Sequence, residues 1–276
     1  MRLVLCSVMM ASVFGCGSNP ETRRSTKALS DNEAPSIGFP KADPPAETDA
    51  GSKVIASKII AAHTNNDPTL LAKMKSVTFG REGKHVAVDS PFSSLAVNFT
   101  MQGKWPNFGR YVWTGLDSQP FTLRIHDKQI YRDVPDSKLQ NPIPEKLFND
   151  VFYDFYADWL QLLVPLGEQE TIVGLGPEFK LGDAKLLGLR VWYPGKPQAI
   201  LYYDPTSFRV LRLAYDGRQN GMGIHIELAL SEHKPINGFL LAHRVFVRMN
   251  GRDNFEYVKA TLEFPKDHPA KLFAEP

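Results

Sequence analysis

The sequence predicts an α+β fold built on one curved antiparallel sheet of about ten to eleven strands, with one face covered or lining a cavity. Two observations lead to this prediction. Apolar and polar residues alternate through two long stretches, residues 76–132 and 186–264, and short turns separate the alternating segments. Between these stretches, residues 145–164 carry large apolar side chains at helical spacing.

The chain begins with the pattern of a bacterial lipoprotein signal peptide, residues 1–15. Arg2 is followed by an apolar run over residues 3–14, and Gly15 directly precedes Cys16. The signal peptidase that recognises this pattern cuts before the cysteine, so Cys16 becomes the lipidated first residue. The run is shorter than the roughly 20 residues that a membrane-spanning helix needs. A plain secretory leader, cleaved without lipidation, is the alternative.

Residues 16–51 are predicted to form a disordered tether ahead of the folded domain at residues 52–276. The segment is rich in Ser, Thr, Asn, Asp, Glu and Pro and has few large apolar residues. Such a segment cannot bury enough surface to offset its ordering entropy, and it would hold the domain roughly 30 Å from the membrane. Gly17, rather than an aspartate, follows Cys16, which by analogy with enterobacterial sorting favours the outer membrane.

The folded domain is predicted to open with a helix that Ser52 caps and in which Ile55, Ile59 and Ala62 share one face. A short helical turn is predicted at residues 69–74. The alternating segments that follow are predicted as strands at residues 76–81, 94–102, 110–116, 121–126 and 128–132.

The helical segment at residues 145–164 is unusually aromatic. Its apolar stripe consists of Phe148, Phe152, Phe155, Trp159 and Leu162 or Leu163. Pro165 is predicted to end the helix. Two interpretations stay open, and they can share residues: the rings pack on the sheet as core, or they line a cavity for a hydrophobic ligand.

The second half of the domain is predicted to be antiparallel sheet throughout. Its strands are predicted at residues 186–193, 199–204, 208–216, 223–230, 241–249 and 255–264. The alternation is clearest at residues 224–230, where one face is apolar and the other is polar. This pattern is typical of a sheet with one buried face.

Cysteine usage and charge exclude several classes of protein. Only Cys6 and Cys16 are present; the first leaves with the leader and the second is lipidated, so no disulfide or cysteine metal site is expected. The 32 basic and 30 acidic residues are spread along the chain, so no nucleic-acid partner is expected. The stability of the domain must therefore come from packing.

No enzyme motif stands out in the sequence. The patterns of serine hydrolases, zinc hydrolases, P-loop proteins and kinases are missing, and Gly174-Leu175-Gly176 lacks the third glycine of a dinucleotide site. His225 and Glu227 share a strand face, but a metal site would need a further ligand such as His233 or His243. We therefore expect no catalytic residues, no metal and no cofactor.

The order of elements and several short phrases resemble the LolA-like lipoprotein-carrier superfamily, over roughly residues 53–276. The phrases are Ala61-Ala62-His63, residues 70–75, Leu162-Leu163-Val164-Pro165-Leu166, Gly188-Leu189-Arg190-Val191, residues 201–207 and residues 272–276. In particular, the chain is similar to uncharacterised exported members of planctomycete type.

The resemblance implies an incomplete antiparallel β-barrel whose concave face is covered by helices and encloses a mainly apolar cavity. In the carriers of this superfamily, that cavity takes up the acyl chains of lipoproteins without covalent chemistry. The expected cavity lining here is Phe148, Phe152, Phe155, Trp159 and Leu162.

A diffusible shuttle is not expected to carry its own anchor. We therefore expect a fixed, non-enzymatic module on the periplasmic side of the envelope, held to the membrane through lipidated Cys16, that binds a lipid or acyl chain. The alternative is an anchored interaction or sensing module with a filled core, which binds another envelope protein through an outer face or an edge strand.

Overall fold

The computed structural model describes residues 42–86, 95–115, 121–127, 129–132, 145–219, 222–266 and 268–274. The α-helices are α1 (Ala50–Thr64), α2 (Leu70–Lys73) and α3 (Glu145–Gln161), and short 3₁₀ turns cover Val164–Gly167 and Ala270–Leu272. The strands are β1 (Ser76–His85), β2 (Ala96–Lys104), β3 (Phe108–Thr114), β4 (Phe121–His126), β5 (Gln129–Arg132), β6 (Ile172–Leu181), β7 (Ala184–Trp192), β8 (Ala199–Tyr203), β9 (Val210–Gln219), β10 (Met222–Ile236), β11 (Phe239–Met249) and β12 (Arg252–Glu263).

These strands form one 12-stranded antiparallel sheet in the order β5-β4-β3-β2-β1-β12-β11-β10-β9-β8-β7-β6. Strands that are consecutive in sequence pair with each other, and β1 pairs with β12 to join the two halves. β5 and β6 are the edges of the sheet, and α3 lies between them in sequence. The sheet is therefore an open, incomplete barrel, as expected from the resemblance.

Helix α3 lies on the concave face and contacts strands that are far apart in the sheet. The Phe155 ring covers Gly109 on β3, where a Cβ would come within 2.6 Å of the ring. Trp159 covers Gly103 on β2 in the same way, at 2.7 Å. On the other side, Asp154 of α3 accepts a hydrogen bond from Tyr215 of β9. One helix reaches β2, β3 and β9 because the sheet curls around it.

The sequence predicts all of these strands except β6. This strand contains Gly174, Gly176 and Pro177, which are unfavourable inside a strand. Pro177 is tolerated because β6 is an edge strand, where one side of the backbone has no ladder to join. The pairing of β6 with β7 shifts register between Gly176 and Phe179, which accommodates the irregular segment.

The ends of two helices differ from the prediction. Asp49, not Ser52, caps α1: its carboxylate accepts a 2.9 Å hydrogen bond from the Ser52 backbone N–H. The helix therefore begins at Ala50, inside the segment predicted as tether. Helix α3 ends at Gln161 rather than at residue 164, because Leu163 has a left-handed backbone with φ 59° and Pro165 lies in a 3₁₀ turn.

Helix α1 is fixed to the sheet by a buried histidine. His63 Nε2 accepts a 3.0 Å hydrogen bond from the Val210 backbone N–H, so the ring proton lies on Nδ1. Nδ1 then donates to the Leu240 carbonyl oxygen at 2.8 Å. Because both partners are main-chain groups, the neutral imidazole joins α1 to the start of β9 and β11.

Candidate functional site

A cavity of about 100 Å³ lies between α3 and the concave face of the sheet. Its sheet side is mainly apolar and comes from β2 and β10 to β12. The apolar residues lining it include Phe99, Ile226, Leu228, Val245, Val247 and Met249. Its helix side is formed by Asp154, Ala157, Asp158 and Gln161. These four positions share one face of α3 because they are three or four residues apart.

A buried polar network crosses this cavity from β1 to α3 and β3. Arg81 of β1 donates to the Gln161 side-chain oxygen at 2.9 Å and to the Ala242 carbonyl oxygen at 3.0 Å. The Gln161 amide donates in turn to Asp158 Oδ1 at 3.1 Å. The other oxygen of Asp158 accepts from the Tyr111 hydroxyl at 2.5 Å. The Gln161 side-chain amide thus bridges the Arg81 guanidinium and the Asp158 carboxylate.

A second carboxylate, Asp154, lies one turn away on the same face of the helix and is bonded to a different strand. Tyr215 of β9 donates to Asp154 Oδ1 at 2.9 Å, while Tyr111 of β3 donates to Asp158. Strands β3 and β9 flank the concave face, so the two tyrosines hold α3 from both sides. Both contacts therefore fix α3 in place beside the cavity.

Burial shifts the pKa values of the network. It raises the pKa of the Asp158 carboxyl to about 6, although Tyr111, Arg81 and Gln161 act in the opposite direction. Burial also lowers the pKa of the Arg81 guanidinium to about 10, against the attraction of Asp158. At neutral pH the cavity therefore holds a guanidinium cation and a carboxylate that gains a proton in mild acid.

The predicted aromatic stripe lies beside this cavity rather than around it. Phe152, Phe155, Trp159 and Leu162 are all buried in the core. Phe155 contacts Trp159 at 5.8 Å between ring centroids and also packs on Tyr111. Among the described residues, the cavity is lined instead by the neighbouring face of α3. The side chain of Phe148 and the whole of residues 1–41, including Cys16, lie outside the described part of the chain.

The charged residues of the site, Arg81, Asp154 and Asp158, were not predicted from the sequence. Two signals point to it in retrospect. Asp154 and Asp158 are four residues apart in a helix rich in aromatic residues, so they share one face. Arg81 follows Val77 and Phe79 at alternate positions of β1, so it points to the same buried face as those two residues.

His225 does not meet the other histidines that were considered as metal ligands. Its Nδ1 lies 3.1 Å from Asp216, and its Nε2 lies 3.3 Å from Glu227. His233 is bound elsewhere, with Nε2 donating to the Val210 carbonyl oxygen at 3.0 Å. Among the residues that the structure describes, no three His, Cys, Asp or Glu side chains are placed to hold a metal ion.

No helix in the described ranges has both the length and the apolar character needed to span a bilayer. No protein-family model and no curated protein matches the chain.

Solved structures match the chain in fold. A LolA superfamily protein from Nitrosomonas europaea is 11% identical, with a TM-score of 0.54, and the match covers 81% of this chain and 97% of that protein. A putative outer membrane lipoprotein-sorting protein domain from Vibrio parahaemolyticus is 13% identical, with a TM-score of 0.47 and coverage of 80% and 95%. A DUF1329 family protein from Desulfovibrio piger is 13% identical, with a TM-score of 0.43 and coverage of 83% and 98%. The first of these likenesses shows that this chain has a LolA-like fold.

Proposed function

We propose that this chain, with its LolA-like fold, is a non-enzymatic lipoprotein of the periplasmic side of the envelope that binds an acyl chain beneath α3. The observation that carries the proposal is the cavity itself. Its walls are apolar along β10 to β12, whereas its charged groups are confined to the side formed by α3 and Arg81. An apolar pocket with a few fixed polar groups is the usual form of a small-molecule site.

The cavity must expand to hold an acyl chain. Its volume of about 100 Å³ is smaller than that of the engineered cavity of about 150 Å³ that takes up benzene. We therefore propose that the ligand displaces α3 outward, with Tyr111 and Tyr215 releasing the helix. Burial of each methylene contributes about 0.8 kcal/mol, so a chain of ten or more methylenes offsets both this displacement and the association entropy.

The anchor belongs to the same proposal and rests on the leader. The run ending in Gly15-Cys16 supports lipidation of Cys16, with attachment to the outer membrane and residues 16–51 as the tether to the domain at residues 52–276. An anchored domain of this kind receives or holds a lipid within the reach of its tether.

Native mass spectrometry tests the binding proposal directly. The chain without its leader, with Cys16→Ser to prevent lipidation, is purified from a bacterial periplasm and sprayed intact. We expect a fraction of the protein to carry an added mass equal to a fatty acid or phospholipid. Protein that carries no added mass, and takes up none when incubated with palmitate, contradicts the proposal.

A second candidate function is supported by the packing of α3. Phe155, Trp159 and Leu162 are each 0% exposed, which favours a core that stays filled. The domain would then act as an anchored module that binds another envelope protein, for example at the open edge strand β6. Crosslinking in intact envelopes tests this candidate, because it predicts one defined protein partner and no bound lipid.

A further inference from the structure

Arg81 of β1 is a buried cation in the wall of the cavity beneath α3, and no carboxylate touches it. The residue is 3% exposed. Its two terminal nitrogens donate to neutral acceptors, the Ala242 carbonyl oxygen and the Gln161 side-chain oxygen. Asp158 is linked to it only through the Gln161 amide, and among the described residues no carboxylate forms an ion pair with Arg81. Because buried charges are normally paired, this position favours an anion as a further partner.

The guanidinium also keeps a donor without an acceptor. Nε of Arg81 is buried and forms no hydrogen bond. A buried donor that stays unpaired is costly and calls for an explanation. The bonds to Ala242 and Gln161 use two of the five N–H groups, so Nε–H and a further terminal N–H remain for a ligand. A carboxylate fits this edge of the guanidinium, because its two oxygens accept two parallel N–H bonds.

Of the two spaces that border Arg81, only the cavity beneath α3 has room for such a ligand. The other space is a void of about 10 Å³ that also borders His63 and His233. A void of this size holds one water molecule at most. The cavity beneath α3 measures about 100 Å³ and is mainly apolar, so a ligand bound to Arg81 from this side extends along an apolar wall.

The apolar wall continues from Arg81 along one strand. Arg81 bonds to Ala242 of β11, and the alternate residues Val245, Val247 and Met249 of the same strand line the cavity. They share one face because side chains alternate in a strand. From Ala242 to Met249 the strand extends about 24 Å. A charged end followed by a long apolar path is the shape of an amphiphile with a single chain.

We propose that Arg81 binds the carboxylate of a long-chain fatty acid whose hydrocarbon chain lies along β11 beneath α3. This inference rests on the proposed function and deepens it, because it identifies the ligand as a free acid rather than an ester. An ester carbonyl would accept the Nε–H bond but would leave the cation without an anion in contact.

The other charges of the cavity leave the guanidinium to the ligand. Asp158 accepts from the Tyr111 hydroxyl and from the Gln161 amide, and Asp154 accepts from Tyr215. Burial lowers the pKa of the Arg81 guanidinium to about 10, so the side chain is still a cation at neutral pH. The ligand carboxylate therefore meets a charged partner that keeps its bonds to Ala242 and Gln161.

Calorimetric titration of the mature chain, carrying Cys16→Ser, tests the assignment with two ligands of equal chain length. Dodecanoate carries a carboxylate, whereas methyl dodecanoate offers a carbonyl acceptor without charge. We expect dodecanoate to bind about tenfold more tightly, because only the carboxylate compensates the buried charge. Equal affinity for the two ligands overturns the role of Arg81 and leaves binding beneath α3 intact. Binding of neither ligand overturns the proposed function as well.

A pair of variants locates the preference at Arg81. Arg81→Gln removes the charge from the cavity, so both ligands should bind with equal affinity. Arg218→Gln is the matched control, because it removes an exposed arginine of β9 that lies outside the cavity, and it should keep the tenfold preference. Circular dichroism checks that both variants are folded. A preference for dodecanoate that survives in Arg81→Gln shows that another group binds the carboxylate, and contradicts the proposal.

Nuclear magnetic resonance of the arginine Nε–H groups gives a second measurement in the parent protein. Arg81→Lys keeps a positive charge and identifies the Arg81 signal by its disappearance. We expect this signal to shift downfield and to exchange more slowly with water when dodecanoate binds, and to change less with the methyl ester. An Arg81 signal that is the same in both complexes contradicts the proposal, whatever the behaviour of the Arg81→Gln variant.

Discussion

His63 lies in the interior between α1 and the sheet, where burial lowers the pKa of its imidazole to about 4. His233 and Arg209 add to the lowering, while the hydrogen bond to Leu240 opposes it. The unfolded chain takes up a proton at His63 below pH 6.5, whereas the folded chain does so only near pH 4. The stability that this group contributes is therefore present above pH 6.5 and is lost as the pH falls towards 4, by about 3 kcal/mol.

We predict that His63→Gln removes this part of the pH dependence. The variant should be less stable than the wild type at pH 7, because the hydrogen bonds to Val210 and Leu240 are disturbed. Its free energy of unfolding should, however, fall by about 3 kcal/mol less between pH 7 and pH 4. Urea unfolding followed by circular dichroism at each pH measures the difference. An unchanged slope would mean that His63 is not the titrating group.

Asp158 has the opposite dependence on pH. Its folded carboxyl holds a proton up to about pH 6 because it is buried, whereas in the unfolded chain it releases the proton near pH 3.8. The resulting stabilisation is fully present below pH 3.8 and is lost as the pH rises through 6. In the wild type, the gain at Asp158 therefore offsets the loss at His63 in mild acid.

In the Asp158→Asn variant, nothing at residue 158 offsets the loss of stability that His63 causes in acid, because the amide keeps the shape of the side chain but does not titrate. We expect the free energy of unfolding to decrease by about 2 kcal/mol more than in the wild type between pH 7 and pH 4. The same urea experiment provides the measurement. A variant that follows the wild-type curve over this range would contradict the assignment of Asp158 as the buried acid.

These buried charges are the part of the site that the sequence did not reveal. Arg81 and Asp158 occupy inward positions, but a charged residue in a strand or helix is usually exposed, so its type argues against burial. Only the tertiary structure brings Gln161 between the two charges. The apolar neighbours Phe155 and Trp159 were identifiable, because helical spacing alone places them on one face.

At the level of elements, the close packing of α3 on the sheet depends on two glycines in the sheet. Phe155 and Trp159 are fully buried, and they lie so close to Gly109 and Gly103 that a Cβ at either position would meet a ring below 3 Å. Neither ring can move freely in a packed core. The small residues of β2 and β3 thus set the distance between the helix and the sheet.

Gly109→Ala should therefore destabilise the domain by about 1–3 kcal/mol through overpacking against Phe155. Gly223→Ala is the matched control, because a Cβ at that position contacts nothing within 4 Å. Its free energy of unfolding should stay within about 0.5 kcal/mol of the wild type. Urea titrations of both variants at pH 7 make the comparison. Equal losses in the two variants would show that α3 does not rest on Gly109.

Regular alternation made most strands predictable, and irregular strands were less so. β10 was identified because apolar residues alternate from Ile224 to Leu230, which is the pattern of a sheet with one buried face. β6 was not, because Gly174, Gly176 and Pro177 argue against a strand and are tolerated here only at a sheet edge with a shifted register. The edge position of β6 is a property of the whole topology and cannot be recognised within the segment.

For the whole molecule, the proposed anchor at Cys16 would restrict what a LolA-like fold can do. A domain tied to the membrane does not diffuse across the periplasm, so a role in receiving or holding a lipid fits the anchor better than transport does. Both premises of this argument come from the sequence: the leader pattern and the resemblance to the superfamily. The size of the cavity became visible only in the structure.

The proposed anchor makes a simple prediction for the full chain. Cys16→Ser should prevent lipidation, so the protein should move from the membrane fraction to the soluble fraction and lose the labelling that the wild type acquires from radioactive palmitate. Gly17→Ser changes the neighbouring residue and serves as the control, which should remain in the membrane fraction. A Cys16→Ser variant that stays membrane-bound would show that lipidation is not what holds the protein.

Titration of the mature chain with a fluorescent fatty acid tests the central claim, binding beneath α3, most directly. Two variants are compared with the parent: Val247→Phe fills the cavity wall, and Val258→Phe adds the same ring at a position of β12 that is 53% exposed. The account predicts that the parent and Val258→Phe bind equally and that Val247→Phe binds about tenfold more weakly. Absence of binding to the parent, or equal binding by all three proteins, would contradict it.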